Sequence, residues 1–184
     1  MKIVEAAEVR QRLTMPVCID LMRTSLRELE AGTYTQPLRS IALLPGGEKF
    51  GFMPACLGDC FGAKVLSAFP QNAGTQYPSH IGYVLLFEGE HGSFLGMADA
   101  AVITEIRTGA VSGVATDLLA RPDAHRLAII GAGAQGRSHL ASMTAVRDIH
   151  SVTVYDQNTQ AARRYCQEME AKFGIPVTAA DSVR

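Results

Sequence analysis

The chain has 184 residues, of which 47% are hydrophobic and 19% charged, and its formal net charge is −1. This composition is typical of a globular protein, and the near-zero charge gives no reason to expect nucleic acid as a partner. The apolar runs are far shorter than the roughly 20 residues that a membrane-spanning helix needs, and the polar start of the chain is unlike a signal peptide. We therefore expect a cytoplasmic protein with no membrane partner.

Two helical patterns open the chain and a strand-rich region follows. Apolar residues three and four apart predict short helices over 6–13 and 18–32. Between residues 34 and 100 the apolar period changes toward two, in short runs bounded by Gly, Pro, Asn or Asp. This part of the chain is therefore predicted to form an antiparallel sheet.

A long helix is predicted next, over residues 103–122. Gly109 and Gly113 weaken this helix by roughly 1 kcal/mol each relative to alanine. Because these small residues lie four positions apart, they share a face of the helix and indicate that another element packs closely against it.

Strands and helices alternate after the long helix, with the last helix predicted over residues 159–173, and this alternation predicts parallel βαβ units. The boundary between the two parts is expected near residue 121. The short C-terminal part allows only the strand order 3-2-1, with the apolar strand "LAII" (127–130) at an edge.

A glycine loop follows that apolar strand. Gly131, Gly133 and Gly136 form Gly-x-Gly-x-x-Gly between a predicted strand and helix, the context in which the motif binds a dinucleotide. The three glycines would allow a tight turn, the approach of a pyrophosphate and close helix–strand packing. Asp156, which ends the next strand, is suited to the ribose hydroxyls of NAD, and Gln157 follows where an NADP enzyme would more often have arginine. The predicted cofactor is NAD.

The cysteines and histidines show no spacing typical of a metal site. Cys56 and Cys60 are spaced C-x3-C with no histidine close by, so all four cysteines are expected to be free thiols. His139 is expected to pack or to hydrogen-bond on its own helix. No metal site is predicted.

Three segments together resemble the ornithine cyclodeaminase/mu-crystallin family: "GAKVLSAFPQN" (62–72), "ITEIRTGAVSGVATDLLARPDA" (103–124) and "IIGAGAQGRSHL" (129–140). This resemblance implies an α/β protein with an N-terminal α+β substrate and dimerisation domain, residues 1–121, and the first half of a Rossmann domain, residues 122–184. It also explains why the glycine loop comes so late. A homodimer is expected through the sheet region 34–100, whose apolar strands need cover.

The resemblance also implies roles for individual residues. Arg39 matches the arginine that holds the substrate carboxylate, Lys64 the active-site lysine, and Arg107 an arginine that reaches both substrate and cofactor. Met53 is expected to line the pocket, although a plain core role fits it equally. The positions expected to bind the cofactor are Ser79, Arg107, Gly131, Gly133, Ala134, Gln135, Gly136 and Asp156. We expect Arg39 and Lys64, on strands, and Arg107, at the start of the long helix, to converge on one carboxylate-binding pocket.

The resemblance implies three possible functions. The first is an ornithine cyclodeaminase-like enzyme that converts an amino acid such as ornithine to proline and ammonia through an imine. The second is an NAD(P)H-dependent ketimine reductase or an alanine- or opine-type dehydrogenase, acting on an amino or imino acid. The third is a non-catalytic, mu-crystallin-like protein that binds cofactor or a small ligand. Because the family's cyclodeaminases use an aspartate from the far half of the dinucleotide domain, we expect this sequence to be the first part of a longer protein.

Overall fold

The computed structural model describes residues 1–183, which form two compact units. The first unit comprises Met1–Leu13 and Thr24–Thr104, and the second comprises Thr14–Arg23 together with the residues from Glu105 onward. The division into domains of residues 1–121 and 122–184 stays a prediction. Among the described residues, no helix is long and apolar enough to cross a membrane.

Strands and helices follow one another in an order that matches most of the sequence patterns. The strands are β1 (Lys2–Val4), β2 (Tyr34–Thr35), β3 (Ser40–Leu43), β4 (Lys49–Leu57), β5 (Cys60–Ala68), β6 (His80–Glu88), β7 (Phe94–Asp99), β8 (Arg126–Ile130), β9 (Ser151–Tyr155) and β10 (Val177–Ala179). The helices are α1 (Ala6–Arg12), α2 (Met15–Glu30), α3 (Ala100–Leu119), α4 (Ala134–Val146) and α5 (Thr159–Phe173), with a 3-10 turn at Pro70–Asn72.

The first unit contains a seven-stranded sheet in the order β1-β7-β6-β5-β4-β2, with β3 also paired to β4. The predicted antiparallel pairing is confirmed for β2 to β7, while β1 pairs with β7 in parallel. Pro54 lies inside β4. Along the edge of β4 that faces β2 and β3, the residues around Pro54 are unpaired, because β3 pairs only as far as Phe52 and β2 only from Cys56 onward. A residue without an N–H is tolerated there because no ladder bond is lost on that side.

Helix α3 begins three residues earlier than the predicted residue 103. The Asp99 carboxylate at the end of β7 accepts a hydrogen bond from the Val102 N–H at 2.7 Å and so caps the first turn. At the other end, the Arg147 guanidinium donates to the carbonyls of Thr116, Asp117 and Ala120, in the last turn of the helix, where carbonyls run out of partners within the helix.

The second unit contains a three-stranded parallel sheet in the order β10-β9-β8, which confirms the predicted 3-2-1 order. Its core consists of β8 and β9 side chains packed against α4 and α5, among them Ile129, Leu140, Val154 and Tyr165. Strand β8 lies at an edge of this sheet, and the side chain of Ile130 at its end is 77% exposed. The predicted apolar edge is therefore confirmed for the described residues.

The close packing predicted around the glycines of the long helix is also confirmed. A Cβ on Gly109 would overlap Ser138 Oγ, and a Cβ on Gly113 would overlap Ser142 Oγ. Both serines lie on α4, so the absence of side chains on α3 lets these two helices come together within the second unit. The Ser138 hydroxyl donates to the Glu105 carbonyl at 2.6 Å across this contact.

Candidate cofactor and substrate sites

The glycine loop joins β8 to α4, and each of its three glycines meets a different demand. Gly131 has φ of +104°, a conformation that residues with a side chain rarely adopt. A Cβ on Gly136 would overlap the carbonyl oxygen of Gly131, whereas a Cβ on Gly133 would find no atom within 4 Å. Gly131 and Gly136 are therefore required by the fold, while the open side at Gly133 leaves room for a ligand to approach the backbone.

Asp156 connects the end of β9 to this loop. Its Oδ2 accepts a hydrogen bond from the Ala132 N–H at 2.7 Å, and its Oδ1 accepts one from the Asn158 N–H at 2.8 Å. These bonds lower the pKa of the carboxyl group, so Asp156 is negatively charged at neutral pH. Each oxygen can accept a further hydrogen bond, so this carboxylate is suited to accept hydrogen bonds from ribose hydroxyl groups and to repel a phosphate.

Arg137, which sequence reasoning missed, supports the loop from α4. Its guanidinium donates to the Ala132 carbonyl at 2.5 Å, forms an ion pair with Glu168, and lies 5.4 Å from the centre of the Tyr165 ring. The Tyr165 hydroxyl donates to the Gly136 carbonyl at 3.0 Å, and burial raises the pKa of this phenol to about 12. The signal in the sequence was an arginine directly after the third glycine.

The start of α4 carries two of the predicted cofactor positions. Ala134 and Gln135 are both exposed there, where the first N–H groups of a helix are free to bind a phosphate. His139 Nδ1 lies 2.7 Å from the Gln135 carbonyl oxygen, which confirms the expected hydrogen bond on its own helix. Its Nε2 lies 3.0 Å from Ser112 Oγ on α3, so this histidine stabilises the position of α4 within the second unit.

Lys64 lies in β5, near the middle of the sheet of the first unit. Its partners in the neighbouring strands are Met53 in β4 and Val84 in β6, and the lysine is only partly exposed. The ammonium donates to Thr104 Oγ1 at 3.4 Å, a contact that sequence reasoning missed. A charged group between two apolar neighbours costs solvation energy, which the hydrogen bond to Thr104 offsets in part.

The strand register also relates Arg39 to Lys64. Arg39 precedes β3, whose first residue Ser40 pairs with Phe52. Continuing this register by one residue places Arg39 level with Met53, which is directly opposite Lys64. Two strand spacings separate the Arg39 and Lys64 backbones by about 10 Å, a distance that the two long side chains can bridge to a shared small anion.

The elements that carry Arg39 and Arg107 differ from expectation. Arg39 is not in a strand but in the segment before β3, because the β3–β4 pairing begins only at Ser40. Arg107 is not at the start of α3 but is its eighth residue, because the Asp99 cap starts the helix at Ala100. Ser79 lies just before β6, where its carbonyl accepts the Phe69 N–H at 2.8 Å and its hydroxyl lies 3.1 Å from His80 Nδ1.

Arg39 and Arg107 share a property that suits substrate binding. Both are exposed, and neither takes part in an ion pair or hydrogen bond with another residue in the range 1–183. A guanidinium that is not paired within the protein can grip a carboxylate with two parallel hydrogen bonds. Arg107 lies in the second unit, so its convergence with Arg39 and Lys64 stays a prediction.

Curated relatives match most of this chain. A Delta(1)-pyrroline-2-carboxylate reductase of Bacillus cereus is 31% identical over 179 residues, which cover 96% of this chain and 55% of the relative. An L-lysine cyclodeaminase of Streptomyces rapamycinicus is 32% identical, over 95% of this chain and 52% of the relative. The ketimine reductase mu-crystallin of Mus musculus is 32% identical over 78% of this chain and 47% of the relative. The chain thus spans about half the length of these relatives.

Solved structures match the fold closely. The Thermococcus litoralis Delta(1)-pyrroline-2-carboxylate reductase, in complex with NADH and L-proline, superposes with a TM-score of 0.94 at 33% identity, over all of this chain and 58% of that one. An archaeal alanine dehydrogenase dimer with bound NAD superposes with a TM-score of 0.91 at 27% identity, over 97% of this chain and 55% of that one. The model of the ornithine cyclodeaminase/mu-crystallin family matches residues 1–184. As its sequence motifs predicted, the chain belongs to the ornithine cyclodeaminase/mu-crystallin family.

Proposed function

We propose that this chain carries the cofactor loop and part of the substrate site of an NAD(H)-dependent enzyme that interconverts an imino acid and an amino acid. The observation that carries the proposal is the glycine loop, with open space at Gly133 and a charged Asp156 bonded to the loop. Gly133, Ala134 and Gln135 would hold the pyrophosphate, and Asp156 the ribose. The NADH and NAD bound in the similar reductase and dehydrogenase structures support this assignment.

For the reaction, we favour reduction of a cyclic imino acid over ornithine cyclisation. Similarity to the pyrroline-2-carboxylate reductases, one of them solved with NADH and L-proline, supports this choice. The hydride for the imine carbon would come from NADH held by Gly133, Ala134, Gln135 and Asp156. Arg39 and Arg107 bind the substrate carboxylate, and the Lys64 ammonium hydrogen-bonds the imine nitrogen and delivers the proton that completes the amine.

Cyclodeamination is the second candidate because a lysine cyclodeaminase is as similar in sequence as the reductases. It would use the same carboxylate-binding arginines but release ammonia with no net change in the cofactor. A binding protein without turnover is the third candidate.

Turnover of the full-length protein separates these candidates. Nicotinamide absorbance is followed with pyrroline-2-carboxylate, piperideine-2-carboxylate, ornithine and lysine, and ammonia is measured in parallel. Net NADH oxidation by a cyclic imine supports the reductase. Ammonia release from a diamine without a net absorbance change contradicts it and supports a cyclodeaminase, while cofactor binding without either signal supports a binding protein.

Two variants test the substrate site. Arg39→Ala should weaken substrate binding by roughly 10- to 150-fold, the value of a lost charge-assisted hydrogen bond, with little change in NADH affinity. Arg107→Ala should weaken the binding of both substrate and cofactor. Equal effects of Arg39→Ala on both ligands would contradict the assignment.

We also propose that the protein forms a homodimer through the sheet of the first unit. The register places Phe50 and Phe52 of β4 on the same face as Ile81 and Tyr83 of β6, and all four side chains are exposed. Soluble monomers rarely expose contiguous apolar patches, and those that are exposed often mark a site of interaction with another protein. The dimeric alanine dehydrogenase supports the proposal. Light scattering at micromolar concentration should give twice the chain mass, and Phe52→Glu should give a monomer; a wild-type monomer would contradict it.

A further inference from the structure

A second cluster of functional groups lies in the second unit, away from the glycine loop. His125 precedes β8 and His150 precedes β9, and Asp148 lies two residues before His150. Strand β8 has five residues, so about 16 Å of strand separates this cluster from the loop at the other end of the sheet. The cofactor site proposed above does not use any of the three side chains.

Backbone hydrogen bonds place the two histidines side by side. The His150 N–H donates to the His125 carbonyl at 2.7 Å, directly before the strand pair in which Arg126 lies opposite Ser151. The two imidazole rings are stacked, with centroids 4.3 Å apart and planes within 3° of parallel. The sheet therefore holds the backbones of the two histidines side by side.

The hydrogen bonds of His125 make it a competent metal ligand. Its Nδ1 lies 2.7 Å from the Asp148 carbonyl oxygen, and since a carbonyl can only accept, Nδ1 carries the proton. In the neutral ring Nε2 then keeps its lone pair. Histidines that bind metals in proteins usually have this arrangement, with the other ring nitrogen donating to a carbonyl or carboxylate.

His150 and Asp148 complete a three-ligand set. His150 Nε2 lies 2.9 Å from Asp148 Oδ2, and one ligand atom from each of the three residues lies within 4.8 Å of the others. Ligands in a tetrahedral zinc site with bonds of about 2.0–2.1 Å are about 3.4 Å apart. The stacked rings hold their lone pairs in parallel planes, so the His150 ring must turn before both imidazoles can face one ion. The Asp148 and His150 side chains are 80% and 59% exposed, which leaves them free to make this rotation.

We propose that His125, Asp148 and His150 form a binding site for a divalent transition metal ion of the zinc class. Two imidazoles and one carboxylate suit Zn²⁺ and exclude Mg²⁺ and Ca²⁺, which prefer oxygen ligands. To bind through Nε2, the neutral His150 ring carries its proton on Nδ1, so its binding needs no net release of a proton. Water would take a fourth position, and a cavity of about 580 Å³ lined by His125, Arg126 and His150 adjoins the two imidazoles. The sequence did not predict this site because its ligands precede two different strands.

The bound ion would connect the starts of β8 and β9. Its ligands come from both strand entries, so binding should stabilise the folded sheet in proportion to the free metal concentration. NADH binding should not depend on it, since the two sites lie at opposite ends of the parallel strands.

Calorimetric titration of the protein with zinc chloride, in a buffer that does not chelate, tests the proposal. One Zn²⁺ should bind per chain, and Mg²⁺ at the same concentration should not. Asp148→Asn and His150→Gln should each weaken Zn²⁺ binding by about tenfold or more, while His91→Gln, at an exposed histidine in the β6–β7 turn, should change it less than about twofold.

A spectroscopic measurement covers the case in which a ligand substitution unfolds the protein. Co²⁺ should give the visible absorption of a four-coordinate site in the wild type, and circular dichroism shows whether each variant is folded. No Zn²⁺ binding by the wild type, equal Mg²⁺ binding, or unchanged Zn²⁺ affinity in folded Asp148→Asn and His150→Gln would each overturn the proposal.

Discussion

Alanine substitutions at two glycines of the same loop should have opposite effects on stability and cofactor binding. At Gly136, a Cβ would lie closer than 3.0 Å to the Gly131 carbonyl oxygen, which is backbone and cannot rotate away. The clash forces α4 away from β8, at a cost typical of overpacking, about 1–3 kcal/mol. The better helix propensity of alanine offsets at most about 1 kcal/mol of this.

With this offset taken in full, the expected net loss of unfolding free energy at Gly136 is about 0–2 kcal/mol, with about 1 kcal/mol in the middle of the range. In a unit of fewer than 100 residues, each kcal/mol lowers the melting temperature by about 4–8 °C. Gly133 has φ of −84°, which any residue adopts, and a Cβ there meets nothing within 4 Å. Gly133→Ala should therefore melt within a few degrees of the wild type.

Cofactor affinity should distinguish the two variants in the opposite way, with the larger effect at Gly133. If the pyrophosphate approaches the backbone at Gly133, a methyl group there should weaken NADH binding at least about tenfold, equal to about 1.4 kcal/mol. Melting is followed by circular dichroism and NADH binding by fluorescence titration. A Gly136→Ala protein that melts like the wild type would refute the close approach of helix and strand, and unchanged NADH affinity in Gly133→Ala would refute the assigned cofactor position.

Three other predictions use single contacts of the structure. Asp156→Ala should lower the affinity for NADH and reduce the difference between the affinities for NADH and NADPH. Asp156→Asn should retain more NADH affinity, because its side-chain oxygen can still accept the Ala132 N–H. Tighter binding of NADPH than of NADH by the wild type would contradict this. Thr104→Val should slow turnover by about tenfold, because the hydroxyl accepts a hydrogen bond from the Lys64 ammonium and so positions it, and Thr104→Ser should restore turnover; unchanged turnover in Thr104→Val would argue against a positioning role. Backbone N–H groups of Ser93 and His91 lower the pKa of Glu88 to about 2, so Glu88 stabilises the fold at neutral pH and loses this effect as the pH falls from about 4.5 toward 2. The melting difference between Glu88→Gln and wild type should shrink over that range, and a constant difference would contradict the assignment.

Where several local signals agree, the sequence predicts both ends of a helix correctly. The bounds of α5 match the predicted 159–173 because the Asn158 side chain accepts the Ala161 N–H at its start and Gly174, with φ of +68°, ends it. The start of α3 was wrong because Asp99, which ends a strand pattern, also serves as the helix cap. Strand β1 was missed because three residues that pair with a strand 90 positions away carry no periodic pattern.

The candidate sites were predictable only where one motif contains them. The glycine loop and Asp156 follow a known spacing, and the loop geometry agrees with it. Thr104 beside Lys64 and Arg137 behind the loop depend on contacts between distant segments, which no local spacing encodes. The same holds for His125 and His150, which become neighbours only when two strands pair.

The support that Arg137 gives to the glycine loop has a consequence for the thermodynamics of ligand binding. The guanidinium fixes the Ala132 carbonyl while Asp156 fixes the Ala132 N–H, so the two peptide groups that flank Ala132 are held before any ligand arrives. The conformational entropy of the loop is then lost during folding and not during association. Association therefore requires no slow ordering step, and substitutions at Glu168 on α5, remote from the ligand, should act mainly on the rate at which the cofactor leaves.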